Sequence, residues 1–212
     1  MSLKIKICGM NNANNIQEIA DLQPDYLGFI FYTGSPRYCG HLDSHILINL
    51  NNHIEKVAVF VNETLEEIQR IISKYHIQTV QLHGNELPEF CDNLRQKKIK
   101  VIKAFGIDKN FNYNTLKQYK ETIDFILFDT KSTQHGGSGQ SFDWELLNKK
   151  YTLSHPFFIG GGVGTENLND LISKTKNLPL YAVDLNSKLE LSPGIKNVQK
   201  VKQAIEIIKG NN

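Results

Sequence analysis

Short apolar runs rich in β-branched and aromatic residues recur along this chain at a nearly even interval, and that interval limits the fold more than any other feature. They cover residues 3–8, 26–31, 56–61, 79–82, 100–104, 125–128, 157–159 and 181–185. Between them lie segments with helical spacing. Thr64-Leu65-Glu66-Glu67 has the pattern of a capping box, with Leu65, Ile68, Ile72 and Tyr75 following as one buried stripe. Val198, Val201, Ile205 and Ile208 repeat that stripe near the end, where Gly210 is placed to stop the helix. Ile16, Ile19 and Ala20 imply a helix after Asn11 or Asn12, and residues 87–97 and 165–175 imply two more. The segments after the second, fifth and sixth runs carry weaker helical patterns.

Eight runs in 212 residues leave about 26 residues per unit, room for a strand, a helix and two short loops. Strict alternation implies a parallel sheet, and eight units favour closure into a (β/α)8 barrel over an open sheet. No linker or low-complexity tract interrupts the pattern, so residues 1–212 are read as one barrel domain of the α/β class.

Charge narrows the function. Lysine and arginine total 24 against 22 acidic residues, a net +2 with no dense basic run, which argues against nucleic acid as a partner. No apolar stretch has the length of a membrane span, and the opening Met1-Ser2-Leu3-Lys4-Ile5-Lys6 lacks the apolar core of a signal peptide. No membrane partner and a cytoplasmic location are therefore expected. Cys8, Cys39 and Cys91 form no close pair, which argues against a disulfide framework or a structural zinc site, so thiols are expected.

In a parallel barrel the chemistry sits at the C-terminal ends of the strands. At one such end stands Pro156-Phe157-Phe158-Ile159-Gly160-Gly161-Gly162-Val163-Gly164-Thr165. Its glycines let backbone N–H groups approach an anion without a Cβ in the way, and Thr165 is a candidate N-cap. A phosphate cradle fits this pattern, and a tight turn with no ligand fits it equally. Cys8 closes the first run and Gly9 follows it. A cysteine packed in apolar surroundings is usually inert, but one at the rim before a helix start can be partly ionised and act as base or nucleophile. Asp129 emerges directly from an apolar run, where desolvation would let it hold a proton as a general acid; capping a local turn is the alternative.

The remaining rim residues are less decided by pattern alone. Arg37 offers a fork suited to a carboxylate or phosphate, or is a surface arginine. His83 binds a substrate or donates to a nearby carbonyl, and Asp184 orients a substrate group or pins the last loop. Residues 131–144, with glycines as hinges, read as a lid or as a flexible linker.

Taken in order, Lys6-Ile7-Cys8-Gly9-Met10, Gly28-Phe29-Ile30-Phe31, Ser35-Pro36-Arg37-Tyr38, Val59-Phe60-Val61-Asn62, Gln81-Leu82-His83-Gly84, Lys103-Ala104-Phe105, Leu127-Phe128-Asp129, Gly136-Gly137-Ser138-Gly139, Phe142-Asp143-Trp144, Gly160-Gly161-Gly162, Val183-Asp184 and Ser192-Pro193-Gly194-Ile195-Lys196 resemble the phosphoribosylanthranilate isomerase family over essentially the whole chain. The resemblance implies an Amadori rearrangement of a phosphorylated aminoaldose, a small-molecule substrate, with no metal and no organic cofactor. It implies Cys8 as general base and Asp129 as general acid, with the Cys8 pKa moved down and that of Asp129 moved up toward neutrality. It further implies Arg37 on the anthranilate carboxylate, His83 and Asp184 against the substrate, and Gly161, Gly162, Asn186 and Ser187 around the phosphate. The chain is expected as a monomer or homodimer.

One position departs from the family. Where a glycine usually follows two serines after Val183-Asp184, this chain has Lys188 after Asn186-Ser187. A lysine with positive φ there would be strained, though its ammonium can form an ion pair. Three readings compete with the whole. A histidine-pathway aminoaldose isomerase typically has a carboxylate in place of Cys8, and a pentose-phosphate epimerase needs a metal cluster absent from these rim residues. A non-catalytic barrel that binds phosphorylated metabolites, with Cys8 as a redox sensor, leaves the pairing of Cys8 with Asp129 unexplained.

Overall fold

The computed structural model describes residues 2–131 and 141–211. Eight parallel strands close into a barrel in sequence order, each hydrogen-bonded to the next and the last to the first. They are β1 (Lys4–Cys8), β2 (Tyr26–Ile30), β3 (Glu55–Phe60), β4 (Thr79–Leu82), β5 (Lys100–Ile107), β6 (Phe125–Thr130), β7 (Phe157–Ile159) and β8 (Leu180–Leu185). The (β/α)8 architecture expected from the spacing is the one observed.

The helices are α1 (Ala13–Ala20), α2 (Ser44–Ile48), α3 (Leu65–Tyr75), α4 (Pro88–Gln96), α5 (Glu145–Lys150), α6 (Leu168–Lys174) and α7 (Val198–Gly210). Strong stripes gave long helices and weak ones did not. Ile68, Ile72 and Tyr75 are buried on α3, and Thr64 caps it by accepting the Glu67 N–H at 3.2 Å. The reciprocal half of the capping box is missing, because the Glu67 carboxylate turns to Arg70 instead. The segment after β5 is a 3-10 turn, Tyr113–Gln118, and α2 and α5 are short. Gly210 is the last residue of α7 and not the residue after it, so Asn211 takes the C-cap position.

Two apolar layers hold the barrel. The larger lies between the sheet and the helices, with Ile7, Phe29, Phe60, Phe128 and Phe157 facing outward against α-helical side chains. The smaller fills the barrel, with Tyr26, Val57, Ile102, Leu127, Phe158 and Ala182 among its members and Cys8 at its upper edge. Because strand side chains alternate faces, Lys6 and Cys8 of β1 share the inward face while Ile5 and Ile7 pack outward. Each large apolar side chain so buried contributes about 1.5–3 kcal/mol, enough in sum to hold polar groups inside. Among the described residues, no helix is long and apolar enough to cross a membrane.

A small addition follows β8. A 3-10 turn, Ser187–Leu189, leads into an antiparallel pair, β9 (Glu190–Ser192) and β10 (Ile195–Lys196), which the apolar pattern does not announce. The segment read as a lid falls largely on residues 132–140, outside the described residues.

Candidate active site

The C-terminal ends of the strands surround a cavity of about 660 Å³. Cys8, Arg37, His83, Asp129, Gly161, Gly162, Asp184, Asn186 and Ser187 all line it, together with Tyr32, Gln81 and Val163. The nine residues singled out from the sequence thus meet in one place, although they lie as far apart in the chain as Cys8 and Ser187.

Cys8 ends β1 and is 3% exposed. Burial pushes its thiol pKa up, while the nearby Lys6 ammonium opposes that rise. The expected downward shift is therefore corrected. Its supposed source, a helix N-terminus, is not adjacent: α1 begins at Ala13 with Asn12 as its cap. Gly28 gives the thiol its room, since a Cβ at that position would come within 2.6 Å of Sγ.

Asp129 stands on β6, three strands around the closed barrel from β1, and lines the same cavity as Cys8. Both its carboxylate oxygens are engaged: Oδ1 accepts the Thr130 N–H at 2.8 Å, and His83 Nε2 lies 3.2 Å from Oδ2. Gly161 (φ +77°) passes close by, and a Cβ there would lie 2.6 Å from Asp129 Oδ1. Glycine is needed at this position for both backbone angle and space.

The glycine turn is organised differently from the sequence expectation. Thr165 is not the N-cap, because α6 begins only at Leu168 with Asn167 before it. Asn167 folds back over the turn, accepting from the Gly164 N–H at 2.9 Å and donating to the Gly162 carbonyl at 3.0 Å. The positive φ values of Gly161 and Gly162 place their backbone at the cavity wall. After the neighbouring strand β8, the Asn186 side-chain oxygen accepts from Lys196 Nζ at 2.7 Å, which fixes the orientation of that amide at the cavity. Lys188 sits in the 3-10 turn and is not among the residues with positive φ, so the anticipated strain is absent. Its ammonium pairs with Glu166 at 3.2 Å.

Arg37 is not a free fork. Its Nε and Nη2 donate to the two oxygens of Glu190 at 2.8 and 2.7 Å. Glu190 also accepts from Lys196 Nζ at 2.7 Å and from the Gly194 N–H at 3.1 Å. The added hairpin thus holds the arginine by one edge, leaving Nη1 for a ligand. Asp184 is paired as well, with Lys6 Nζ 2.9 Å from its Oδ1. Burial pushes the Asp184 carboxyl up, against the pull of Lys6.

Sequence reading missed Lys6, Gln81, Glu190 and Lys196, the groups that hold the lining residues in place. For two of them a signal was present: Lys6 lies two positions from Cys8, and Gln81 two from His83, so each pair must share a strand face. Glu190 and Lys196 sit on an element with no apolar pattern.

Residues 5–207 match the family model described as N-(5'phosphoribosyl)anthranilate (PRA) isomerase. The chain belongs to the phosphoribosylanthranilate isomerase family. It is accordingly an aldose–ketose isomerase of tryptophan biosynthesis. A curated N-(5'-phosphoribosyl)anthranilate isomerase from Parabacteroides distasonis is 37% identical over 96% of this chain and 92% of its own. The crystal structure of phosphoribosyl anthranilate isomerase from Thermotoga maritima superposes with a TM-score of 0.84 at 33% identity, covering 98% of this chain and 99% of that one. A phosphoribosyl anthranilate isomerase in complex with reduced 1-(o-carboxyphenylamino)-1-deoxyribulose 5-phosphate superposes with a TM-score of 0.80 at 30% identity, covering 98% and 99%.

Proposed function

We propose that this isomerase converts N-(5-phosphoribosyl)anthranilate to 1-(o-carboxyphenylamino)-1-deoxyribulose 5-phosphate, with Asp129 as general acid and Cys8 as general base. The observation that carries the assignment is that an acid on β6 and a thiol on β1 line the same cavity. An Amadori rearrangement needs both. Asp129 gives its proton to the furanose ring oxygen, the C1–O bond breaks, and the substrate nitrogen's lone pair forms the iminium. Cys8, as thiolate, takes the proton from C2, and the C2–H electrons move to C1–C2 while the iminium π pair returns to nitrogen. The resulting enolamine tautomerises to the ketone. The substrate nitrogen serves as electron sink, so the sequence of steps balances without an outside oxidant or metal.

The walls suit the two charged ends of that substrate. Gly161, Gly162, Asn186 and Ser187 offer backbone N–H groups to the phosphate, a recognition that depends on close backbone approach. Arg37 Nη1 meets the anthranilate carboxylate, and His83 and Asp184 contact the sugar. A relative's complex with a reduced form of the product supports a ligand carrying both groups. We assign the chain as a monomer or homodimer.

The test is turnover of phosphoribosylanthranilate, followed by loss of its fluorescence. Cys8→Ser and Asp129→Asn are each expected to abolish turnover while product binding survives. Near-normal rates in both variants would remove the assignment.

A further inference from the structure

Gln81 and Lys6 have no part in the reaction as written, yet both are buried, Gln81 in the cavity wall and Lys6 outside its lining: Lys6 is 0% and Gln81 1% exposed. Their polar atoms form a chain. Lys6 Nζ donates to Gln81 Oε1 at 2.9 Å, Gln81 Nε2 lies 3.1 Å from His83 Nδ1, and His83 Nε2 lies 3.2 Å from Asp129 Oδ2. The Lys6 ammonium is fixed in turn by Asp184 Oδ1 at 2.9 Å, and it acts electrostatically on Cys8.

The direction of every proton in this chain follows from its first member. An ammonium only donates, so the Gln81 amide must turn its oxygen toward Lys6 and its NH2 toward His83. His83 Nδ1 must then accept, which leaves the ring proton on Nε2, aimed at Asp129. With the amide reversed, two donors would face each other in a site closed to water. From this geometry we propose that Lys6 and Gln81 are positioning residues for the isomerisation: they lock His83 as its Nε2–H tautomer, which holds the Asp129 carboxyl in line with the cavity. The part concerning catalysis rests on Asp129 being the acid; the tautomer does not.

The same chain links the two reacting groups. Lys6 sits under Cys8 on β1, and its orders reach Asp129 on β6 through β4, so acid and base share one buried support.

The experiment is nitrogen-15 NMR of the imidazole rings in labelled full-length protein at neutral pH, with the His83 signals identified by their loss in His83→Asn. The wild-type protein is expected to show a protonated Nε2 and a bare Nδ1. Gln81→Glu reverses the instruction, since its carboxylate accepts from both Lys6 and His83; the proton should appear on Nδ1. Gln81→Met removes the instruction, and the ring should sample both forms. In both variants kcat is expected to fall about tenfold or more with KM changed by less than about twofold, a loss of alignment and not of binding. A wild-type ring protonated on Nδ1 would overturn the proposal, as would a Gln81→Glu protein with unmoved imidazole signals or unchanged kcat. If Gln81→Met does not fold, the wild-type spectrum and Gln81→Glu decide the matter. If Asp129→Asn keeps its turnover while the tautomer is as stated, the acid assignment fails and the hydrogen-bond lock stands.

Discussion

The thiol of Cys8 occupies the space that any side chain at position 28 would need: a Cβ on Gly28 would lie 2.6 Å from Sγ and 3.1 Å from the Cys8 Cα. Since Cys8 and Gly28 are register partners on β1 and β2, the conflict cannot be relieved by a loop movement. Gly28→Ala is therefore expected to push the thiol off its line with little effect on the fold, because overpacking costs about 1–3 kcal/mol. A misplacement of about 1 Å lowers rates by about a hundredfold. Steady-state kinetics should show the loss in kcat, with urea unfolding showing a native-like transition. Unchanged kcat would mean that the thiol's position is not critical.

Arg37 depends on Glu190 for its orientation. Glu190→Gln leaves one acceptor oxygen where two now meet the guanidinium, and it places an amide N–H against a cation. KM for phosphoribosylanthranilate is expected to rise about tenfold with kcat nearly unchanged, the pattern of lost ground-state binding. The same variant has a pH signature. Burial alone would push the Glu190 carboxyl up, but the bonds from Arg37 and the charge of Lys196 more than offset it and hold its pKa below the usual value. A depressed carboxylate adds stability above its unfolded pKa of about 4.3, and that stability is lost as pH falls through the folded value. The urea midpoint of the wild type should thus decline more steeply below about pH 4.3 than that of Glu190→Gln.

These dependencies mark where the sequence was legible. The barrel could be read because β-branched runs and helical stripes each report burial directly, as Phe29 and Ile68 do. Cys8 and Asp129 could be placed at the rim because they end such runs. The supports could not be read so easily. Lys6 looks like a solvated charge until closure of the sheet turns its face inward, and Glu190 becomes a partner of Arg37 only when an unannounced hairpin brings positions 153 residues apart together. The Thr165 cap failed for a related reason: Asn167 competes for the same turn and bonds both Gly162 and Gly164.

A second buried pair fixes the loop that carries His83. Lys103 Nζ lies 3.1 Å from Glu86 Oε2 and donates to the Gly84 carbonyl at 2.8 Å, while Glu86 accepts the Asn62 N–H at 2.8 Å. The side chains are 3% and 2% exposed. Removing one partner leaves a buried charge alone, so Lys103→Met is expected to lose about 3–5 kcal/mol of stability by urea unfolding. Lys103→Met combined with Glu86→Gln should recover part of that loss. A single variant as stable as wild type would show the pair to be dispensable.

The thiol itself gives opposite pH trends for rate and stability. As a base Cys8 works in its ionised form, and burial raises its pKa in the folded protein despite Lys6. A thiol raised above its unfolded value contributes stability that is complete below about pH 8.5 and is lost as pH rises through the folded pKa. Over that same window the fraction of thiolate grows. On this assignment kcat/KM should keep climbing above about pH 8.5 instead of levelling near neutrality, while the urea midpoint falls. Cys8→Ser removes the titrating thiol, so its midpoint should fall less over that range. A wild-type kcat/KM that is flat between about pH 7 and 9.5 would show that proton removal at C2 is not governed by a buried thiol.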